Sequence, residues 1–261
     1  MYSKKEKLDK FYTKKSVAIN CIKHLRLSDY DLIIEPAAGS GSFSKNIKHN
    51  SLIALDLEPE SSEIIKMDWF DYKPHFNYKN ILVIGNPPFG LRNKLSKAFI
   101  KHSINIGAQT IAMILPDVYK KHTLQKIFPK EWRLKKIIQL PENSFEINGK
   151  EYHVPCSFFI FDKSNGINLM FDENLYLECE DFEWSNKADA DWFVMGASPK
   201  TVKRVDEVDP NNRGYYIKAT NISKELLKKR FEETYWEGNS SANGGVSWFT
   251  KPEIIKAYKG E

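Results

Sequence analysis

Four successive apolar runs near the start of this chain each lead to a polar side chain, and this repetition constrains the fold more than any other feature. The runs are Asp31 to Pro36, Ser51 to Leu55, Ile64 to Met67 and Ile81 to Ile84, and the polar side chains are Glu35, Asp56, Asp68 and Asn86. Short apolar runs bounded by turn residues are typical of buried strands. In an open α/β sheet, ligands bind at the carboxyl ends of the strands. We therefore predict an α/β fold whose binding site is built from these four residues.

The first run continues into a turn of small residues, Ala37-Ala38-Gly39-Ser40-Gly41-Ser42-Phe43, before a predicted helix over Ser44 to His49. Glycines in such a turn let the backbone approach a ligand closely. The turn does not match the dinucleotide-binding motif G-x-G-x-x-G, because Ser44 stands at the third glycine. Asp56 follows Gly39 by 17 positions, a spacing that suits a carboxylate binding a ribose diol. A simple cap on the turn is the alternative role for Asp56.

The fourth run is followed by Asn86-Pro87-Pro88-Phe89-Gly90. Two prolines fix the backbone and remove two N–H donors, so the loop presents the Asn86 side-chain oxygen and the Pro87 carbonyl as acceptors. With the Phe89 ring as a wall, this arrangement suits a flat group that carries an amine. An amine conjugated to a ring is a poor nucleophile, and two acceptors on its hydrogens favour a nitrogen whose lone pair is free to attack. A plain strand-terminating turn is the alternative reading.

Composition argues against several other classes of protein: disulfide-rich, metal-binding, secreted and membrane-spanning. The 261 residues have a net charge of +5, and the three cysteines and six histidines are too scattered for a disulfide framework or a metal site. We find no secretory signal or membrane-spanning run, so we expect a soluble, cytoplasmic protein that needs no metal. The lysine-rich segment from Met1 to Lys15 is either a solvated arm or one that follows phosphates.

The combination of these motifs resembles a known family. Glu-Pro-Ala-Ala-Gly-Ser-Gly-Ser-Phe at 35–43, Asp56, Asp68 and Asn-Pro-Pro-Phe at 86–89 are similar to the motifs of the S-adenosylmethionine-dependent amino-methyltransferases, in particular the adenine-N6 branch. Phe11-Tyr12-Thr13 resembles the N-terminal motif of those members whose target-recognition region comes last. The resemblance covers about residues 10 to 163. It implies a Rossmann-like, seven-stranded sheet that is mostly parallel with a late antiparallel strand, and S-adenosyl-L-methionine as cofactor.

The resemblance also implies a role for each matched residue. Cofactor-binding positions would be Phe11, Tyr12 and Thr13 at the methionine end, Glu35, Ala37, Gly39 and Gly41 along the turn, Asp56 at the ribose, Asp68 at the adenine amine, and Trp69 or Phe70 against the adenine ring. The catalytic positions would be Asn86, Pro87, Pro88 and Phe89, with Asn86 also bordering the cofactor. Phe89 stands where many relatives have tyrosine or tryptophan.

Downstream patterns complete the predicted domain. We expect a helix over Leu95 to Ile106, a strand over Thr110 to Pro116, and a closing antiparallel pair over Leu134 to Leu140 and Val154 to Phe161, joined by a loop with Asn143, Asn148 and Gly149. Pro116-Asp117 is expected to close the target pocket. Seven basic residues between Lys120 and Lys136 fit a solvated helix face or a phosphate path equally well.

The strand–helix alternation stops near residue 165, which predicts a catalytic domain over 1–165 and a C-terminal region over 166–261. We expect this region to pack on the catalytic domain through Val194, Val202, Ile217 and Leu226. By the resemblance it would read the target, with Arg213 and the loop at 239–245 as candidates.

The expected activity is therefore methylation of the N6 amine of adenine in nucleic acid, with DNA favoured over RNA. A protein glutamine-N5 methyltransferase is an alternative, because a side-chain carboxamide presents the same flat amine. A module that only binds cofactor or nucleic acid is a third. The recognition sequence, the biological role and the oligomeric state stay open.

Overall fold

The structure is a computed structural model that describes residues 11–147, 149–170, 172–236 and 248–261. The chain divides into two compact units, Met1–Met170 and Phe171–Glu261. The lysines before Phe11, the predicted loop residue Asn148 and the candidate loop at 239–245 lie outside the described residues.

The first unit contains ten strands and three helices in its described part. The strands are β1 (Tyr12–Thr13), β2 (Leu32–Glu35), β3 (Leu52–Asp56), β4 (Ile65–Lys66), β5 (Ile81–Gly85), β6 (Thr110–Pro116), β7 (Arg133–Gln139), β8 (Phe145–Ile147), β9 (Lys150–Tyr152) and β10 (Cys156–Asp162). The helices are α1 (Lys15–Ile22), α2 (Lys94–Asn105) and α3 (His122–Gln125).

Seven of these strands form the central sheet, in the order β4-β3-β2-β5-β6-β10-β7. Neighbours from β4 to β6 pair in parallel, whereas β10 pairs antiparallel with both β6 and β7. The predicted seven-stranded, mostly parallel sheet with a late antiparallel strand is confirmed. A separate small sheet joins β1, β8 and β9.

Alternate residues of the central strands fill two cores, one on each face of the sheet. Ile34, Val83 and Met113 pack on the face that buries Phe99 and Ile100 of α2. Ile33, Ile84 and Ala112 pack on the opposite face with Val17, Ala18, Cys21 and Ile22 of α1. Because both faces are covered, strands β2, β5 and β6 are buried along their whole length and read as continuous apolar runs.

The helix predicted over Ser44 to His49 is wrong. The helical part is a short 3-10 segment, Ser44–Asn46, and Ile47 already has an extended backbone. The chain must reach the start of β3 at Leu52, and Asn46 Nδ2 donates to the Ser42 carbonyl at 2.8 Å, closing the turn early.

The second unit has its own sheet and core. Its strands β11 (Phe182–Ser185), β12 (Trp192–Met195), β13 (Ser198–Arg204) and β14 (Gly214–Ala219) pair antiparallel in the order β11-β14-β12-β13, with helices α4 (Lys224–Glu233) and α5 (Lys251–Tyr258).

Of the four residues expected to pack on the catalytic domain, three belong to the core of the second unit instead. Val194 and Ile217 are buried in the core of the second unit itself, and Val202 packs against that core. Leu226 is 42% exposed. Within the described residues, no helix has the length and apolar character needed to cross a membrane.

Candidate active site

The four strand-end residues line one edge of the central sheet. Because β4, β3, β2 and β5 are parallel neighbours, Asp68, Asp56, Glu35 and Asn86 follow one another in that order along the carboxyl edge. Adjacent strands lie about 4.8 Å apart, so the row spans on the order of 15 Å. The strand order reverses between β2 and β5, which is the switch point where open α/β sheets bind ligands.

The glycine turn after β2 is held by Asp56. Gly39 N donates to Asp56 Oδ2 at 2.7 Å, and Glu58 N donates to Asp56 Oδ1 at 2.8 Å. Both predicted roles of Asp56 are therefore geometrically open, since a carboxylate that accepts two backbone bonds keeps capacity for two more. Gly39 has φ +54° and Gly41 has φ +87°, which favour glycine.

Glu35 is the buried carboxyl group of the site. Its side chain is 2% exposed, and Oε2 accepts from Ser44 N at 2.7 Å. Burial raises the pKa of Glu35 to about 7; the bonds from Ser44 and Phe43 oppose this rise, and the charge of Asp56 adds to it. An ideal Cβ at Gly85 would lie 3.4 Å from Glu35 Cγ, so the carboxyl group reaches the backbone just before Asn86.

The short strand β1 connects the glycine turn to the loop after β5. Ser42 Oγ donates to the Thr13 carbonyl at 2.7 Å, and Asn86 Nδ2 donates to the Phe11 carbonyl at 3.3 Å. The Tyr12 ring lies against Gly39, and its hydroxyl donates to Glu60 Oε1. Phe11-Tyr12-Thr13 is therefore placed between the predicted cofactor and target regions.

Two acceptors in the Asn-Pro-Pro-Phe loop have no partner among the described residues. The Asn86 amide, oriented by its Nδ2 bond to Phe11, leaves Oδ1 buried and without a hydrogen bond. The neighbouring Pro87 carbonyl likewise accepts no bond. Like Asn86 Oδ1, Thr13 Oγ1 is a buried side-chain atom without a described partner. Buried polar atoms are nearly always hydrogen-bonded, and an unpaired one costs free energy.

Aromatic rings surround this loop. The Phe89 and Phe11 rings stack with centroids 6.4 Å apart, and Phe11 also contacts Phe145 and Tyr152 of the small sheet. Tyr152 is 46% exposed. The loop is thus walled by flat apolar surfaces on the side of the small sheet.

At the far end of the row, Asp68 caps the turn that follows β4, accepting from Phe70 N at 2.9 Å. The predicted contact of Trp69 with a ligand is wrong, because Trp69 is 1% exposed and packs in the core against Tyr72 and Phe99. Phe70 is half-buried beside it and remains the aromatic residue available for that position.

Asp117, expected to close the target pocket, is held in a polar network. Its carboxylate accepts from Ser157 Oγ at 2.7 Å and Gln139 Nε2 at 3.1 Å, and it pairs with Lys120 at 3.1 Å. These bonds fix the carboxyl ends of β6 and β7 and the start of β10. Whether Asp117 borders a target stays a prediction.

Sequence reasoning missed Ser42, Glu60 and Tyr152. Ser42 sits within the glycine turn and gave no signal of its own, and Glu60 and Tyr152 belong to segments without periodic pattern. A cavity of about 360 Å³ lies beside β3 and β4, lined partly by Ile53, Ile65 and Met67 and by no predicted site residue. Among the described residues, no group of three or more His, Cys, Asp or Glu is placed to hold a metal ion.

Comparisons with known proteins give distant likenesses only. No family model and no curated protein matches the chain. Among solved structures, a proposed RNA methyltransferase from Pyrococcus horikoshii matches at 14% identity and a TM-score of 0.45, over 59% of this chain and 87% of that one.

Two further solved structures match at similar identity and lower TM-scores. The type I restriction enzyme EcoKI M protein matches at 14% identity and a TM-score of 0.39, over 98% of this chain and 71% of that one. The N-methyltransferase NodS from Bradyrhizobium japonicum matches at 15% identity and a TM-score of 0.36, over 55% and 93%. Because each of these TM-scores is below 0.5, the fold is argued from the sheet itself, and the function from the site.

Proposed function

We propose that this chain transfers a methyl group from S-adenosylmethionine to the N6 amine of adenine in nucleic acid, with DNA as the preferred substrate. The observation that carries the proposal is the buried Asn86 Oδ1 without a described partner, next to the unpartnered Pro87 carbonyl. Two adjacent acceptors match the two hydrogens of an amine. The bond from Asn86 Nδ2 to Phe11 holds the amide so that its oxygen, and not its nitrogen, is left for the target.

The residues present fit the cofactor along the row of strand ends. Asp56 has acceptor capacity left for a ribose diol, and Asp68 has a second oxygen that the bond from Phe70 N does not use. The Phe70 ring would cover the adenine. The buried hydroxyl of Thr13 and the carboxyl of Glu35 lie nearer Asn86, where the methionine end would be held. When bound, S-adenosylmethionine supplies a methyl carbon on a sulfonium, and this carbon passes to the amine lone pair as the carbon–sulfur bond breaks.

The chain's own contribution is orientation and electrostatics. Asn86 Oδ1 and the Pro87 carbonyl would draw on the amine hydrogens, which makes the nitrogen lone pair more available and stabilises the positive charge that develops there. The methylated amine is then acidic enough to release a proton to water, so no strong base is needed. Because solvent does not reach Oδ1, the atoms that cover it have to move for an amine to enter.

An adenine in a duplex reaches such a pocket only by flipping out of the stack, at a cost of a few kcal/mol. Stacking of the flipped base on Phe89 would return roughly 1–3 kcal/mol. Pro87 and Pro88 keep the loop rigid, so the ring and the two acceptors stay in a fixed relation.

The test supplies methyl-labelled S-adenosylmethionine with DNA, RNA or a release-factor-like protein to the parent chain and to Asn86→Ala. We expect label in DNA as N6-methyladenine, loss of transfer in Asn86→Ala, and cofactor affinity within a few-fold of the parent. Equal loss of transfer and cofactor binding would contradict the role of Asn86, and label in the protein substrate alone would show the glutamine activity instead.

A further inference from the structure

We infer that a lysine stripe on α2, made of Lys94, Lys97 and Lys101, binds the DNA phosphates that flank the target adenine. This inference rests on the proposed function and names the surface that the nucleic acid would use. Positions 94, 97 and 101 share one face of the helix, opposite the buried Ser96, Phe99 and Ser103. Lys94 and Lys101 are exposed, and Lys97 is half-buried.

The stripe begins at the catalytic loop. Ser96 N, between Lys94 and Lys97, donates to the Phe89 carbonyl at 3.4 Å, so the first turn of α2 is attached to the residue proposed to stack on the base. The joint between loop and helix has a fixed, unusual backbone: Arg92 has φ 53° and Asn93 has φ 59°. Exposed Arg92 adds a fourth cation at this joint.

The charge of the stripe is not balanced. Between Asp71 and Asp117 the sequence contains no acidic residue, and the three lysines form no ion pair with any described residue. The first turn of α2 has cations where the positive end of the helix dipole favours anions. Such an arrangement is unfavourable for the isolated helix and becomes favourable when a polyanion lies against it.

The distribution of charge along the chain points to the same unit. Met1–Met170 carries 26 lysines and arginines against 17 aspartates and glutamates, whereas Phe171–Glu261 carries 13 against 17. The excess of positive charge therefore resides in the unit that contains the candidate active site. A second unit with net negative charge is poorly suited to supply most of the phosphate contacts.

The test compares two triple variants of equal charge change. Lys94→Gln/Lys97→Gln/Lys101→Gln removes the stripe, and Lys23→Gln/Lys48→Gln/Lys79→Gln removes three exposed lysines toward the opposite edge, where β2, β3 and β5 begin. For the parent and both variants, the affinity for a fluorescein-labelled DNA duplex is measured over a range of salt concentrations. Methyl transfer to DNA by the parent chain is measured separately. Each lysine that meets a phosphate should lower the slope of log affinity against log salt by about 1.

We expect the slope of log affinity against log salt to be smaller in magnitude by about 2–3 for the stripe variant than for the parent, and unchanged for the control variant. A stripe variant with the parent's slope, while the parent methylates DNA, would overturn this inference and leave the proposed function intact. Binding through the stripe without any transfer would overturn the proposed function alone. If the stripe variant weakened binding only to a labelled RNA of the same sequence, DNA would be the wrong occupant.

Discussion

Glu35→Gln should change how the stability of the protein depends on pH. The Glu35 carboxyl is buried, and its folded pKa is raised from 4.5 to about 7, mainly by loss of solvation. Between these two values the unfolded chain has lost the proton and the folded chain still holds it. The stability that the neutral carboxyl contributes is therefore complete below pH 4.5 and is lost as pH rises toward 7.

The size of this loss follows from the shift. The difference between a pKa of 4.5 and one of about 7, at about 1.36 kcal/mol per pKa unit, corresponds to about 3 kcal/mol of unfolding free energy. Glutamine resembles the protonated carboxyl in shape, and its oxygen can still accept from Ser44 N. Glu35→Gln should thus match the parent in acid and become more stable than the parent by up to about 3 kcal/mol near neutral pH.

Urea unfolding of parent and variant across this pH range measures the difference directly. Glu63→Gln, which makes the same substitution at an exposed position, is the matched control. A flat difference for Glu35→Gln, or a variant that loses stability toward neutral pH, would refute the reasoning, because it would mean that the ionised carboxyl is stabilised in the folded state.

Two further substitutions test the site. Gly39→Ala should destabilise the protein by about 1–2 kcal/mol, because φ is +54° there, a backbone conformation that L side chains rarely adopt. Calorimetric melting measures the change, and an unchanged Tm would contradict it. Phe89→Ala should weaken the binding of DNA by roughly 1–3 kcal/mol, because the stacking on the base is lost, whereas Phe89→Tyr should keep the affinity of the parent. Equal affinities of the parent and both variants would remove Phe89 from the base pocket.

Most of the central sheet could be predicted from the sequence because its strands are buried on both faces. The run Thr110–Pro116 was predicted with the bounds that the structure has, and β2, β3 and β5 differ from their predicted runs by one residue at one or both ends. Continuous burial removes the polar alternation that makes half-exposed strands hard to recognise.

The second unit, the small sheet and the position of Trp69 could not be predicted from the sequence, for physical reasons. Strand β13, Ser198–Arg204, has polar side chains at most positions because only one face is covered, so the second unit looked irregular. The small sheet of β1, β8 and β9 has strands of only two or three residues. Its β1 strand pairs with β8 across more than 130 positions of sequence, which no local pattern reveals. Trp69 could not be assigned from sequence, since aromatic residues beside a site and in a core look alike.

The claim that the Asn86 oxygen and the Pro87 carbonyl hold an adenine amine for methylation is tested most directly by nucleoside analysis. DNA and RNA from cells that express the parent chain or Asn86→Ala are digested, and methylated nucleosides are quantified by mass spectrometry. We predict N6-methyladenine in DNA above the background of the host with the parent chain and at background with Asn86→Ala. No increase in either nucleic acid, or an equal increase with both proteins, would contradict the claim.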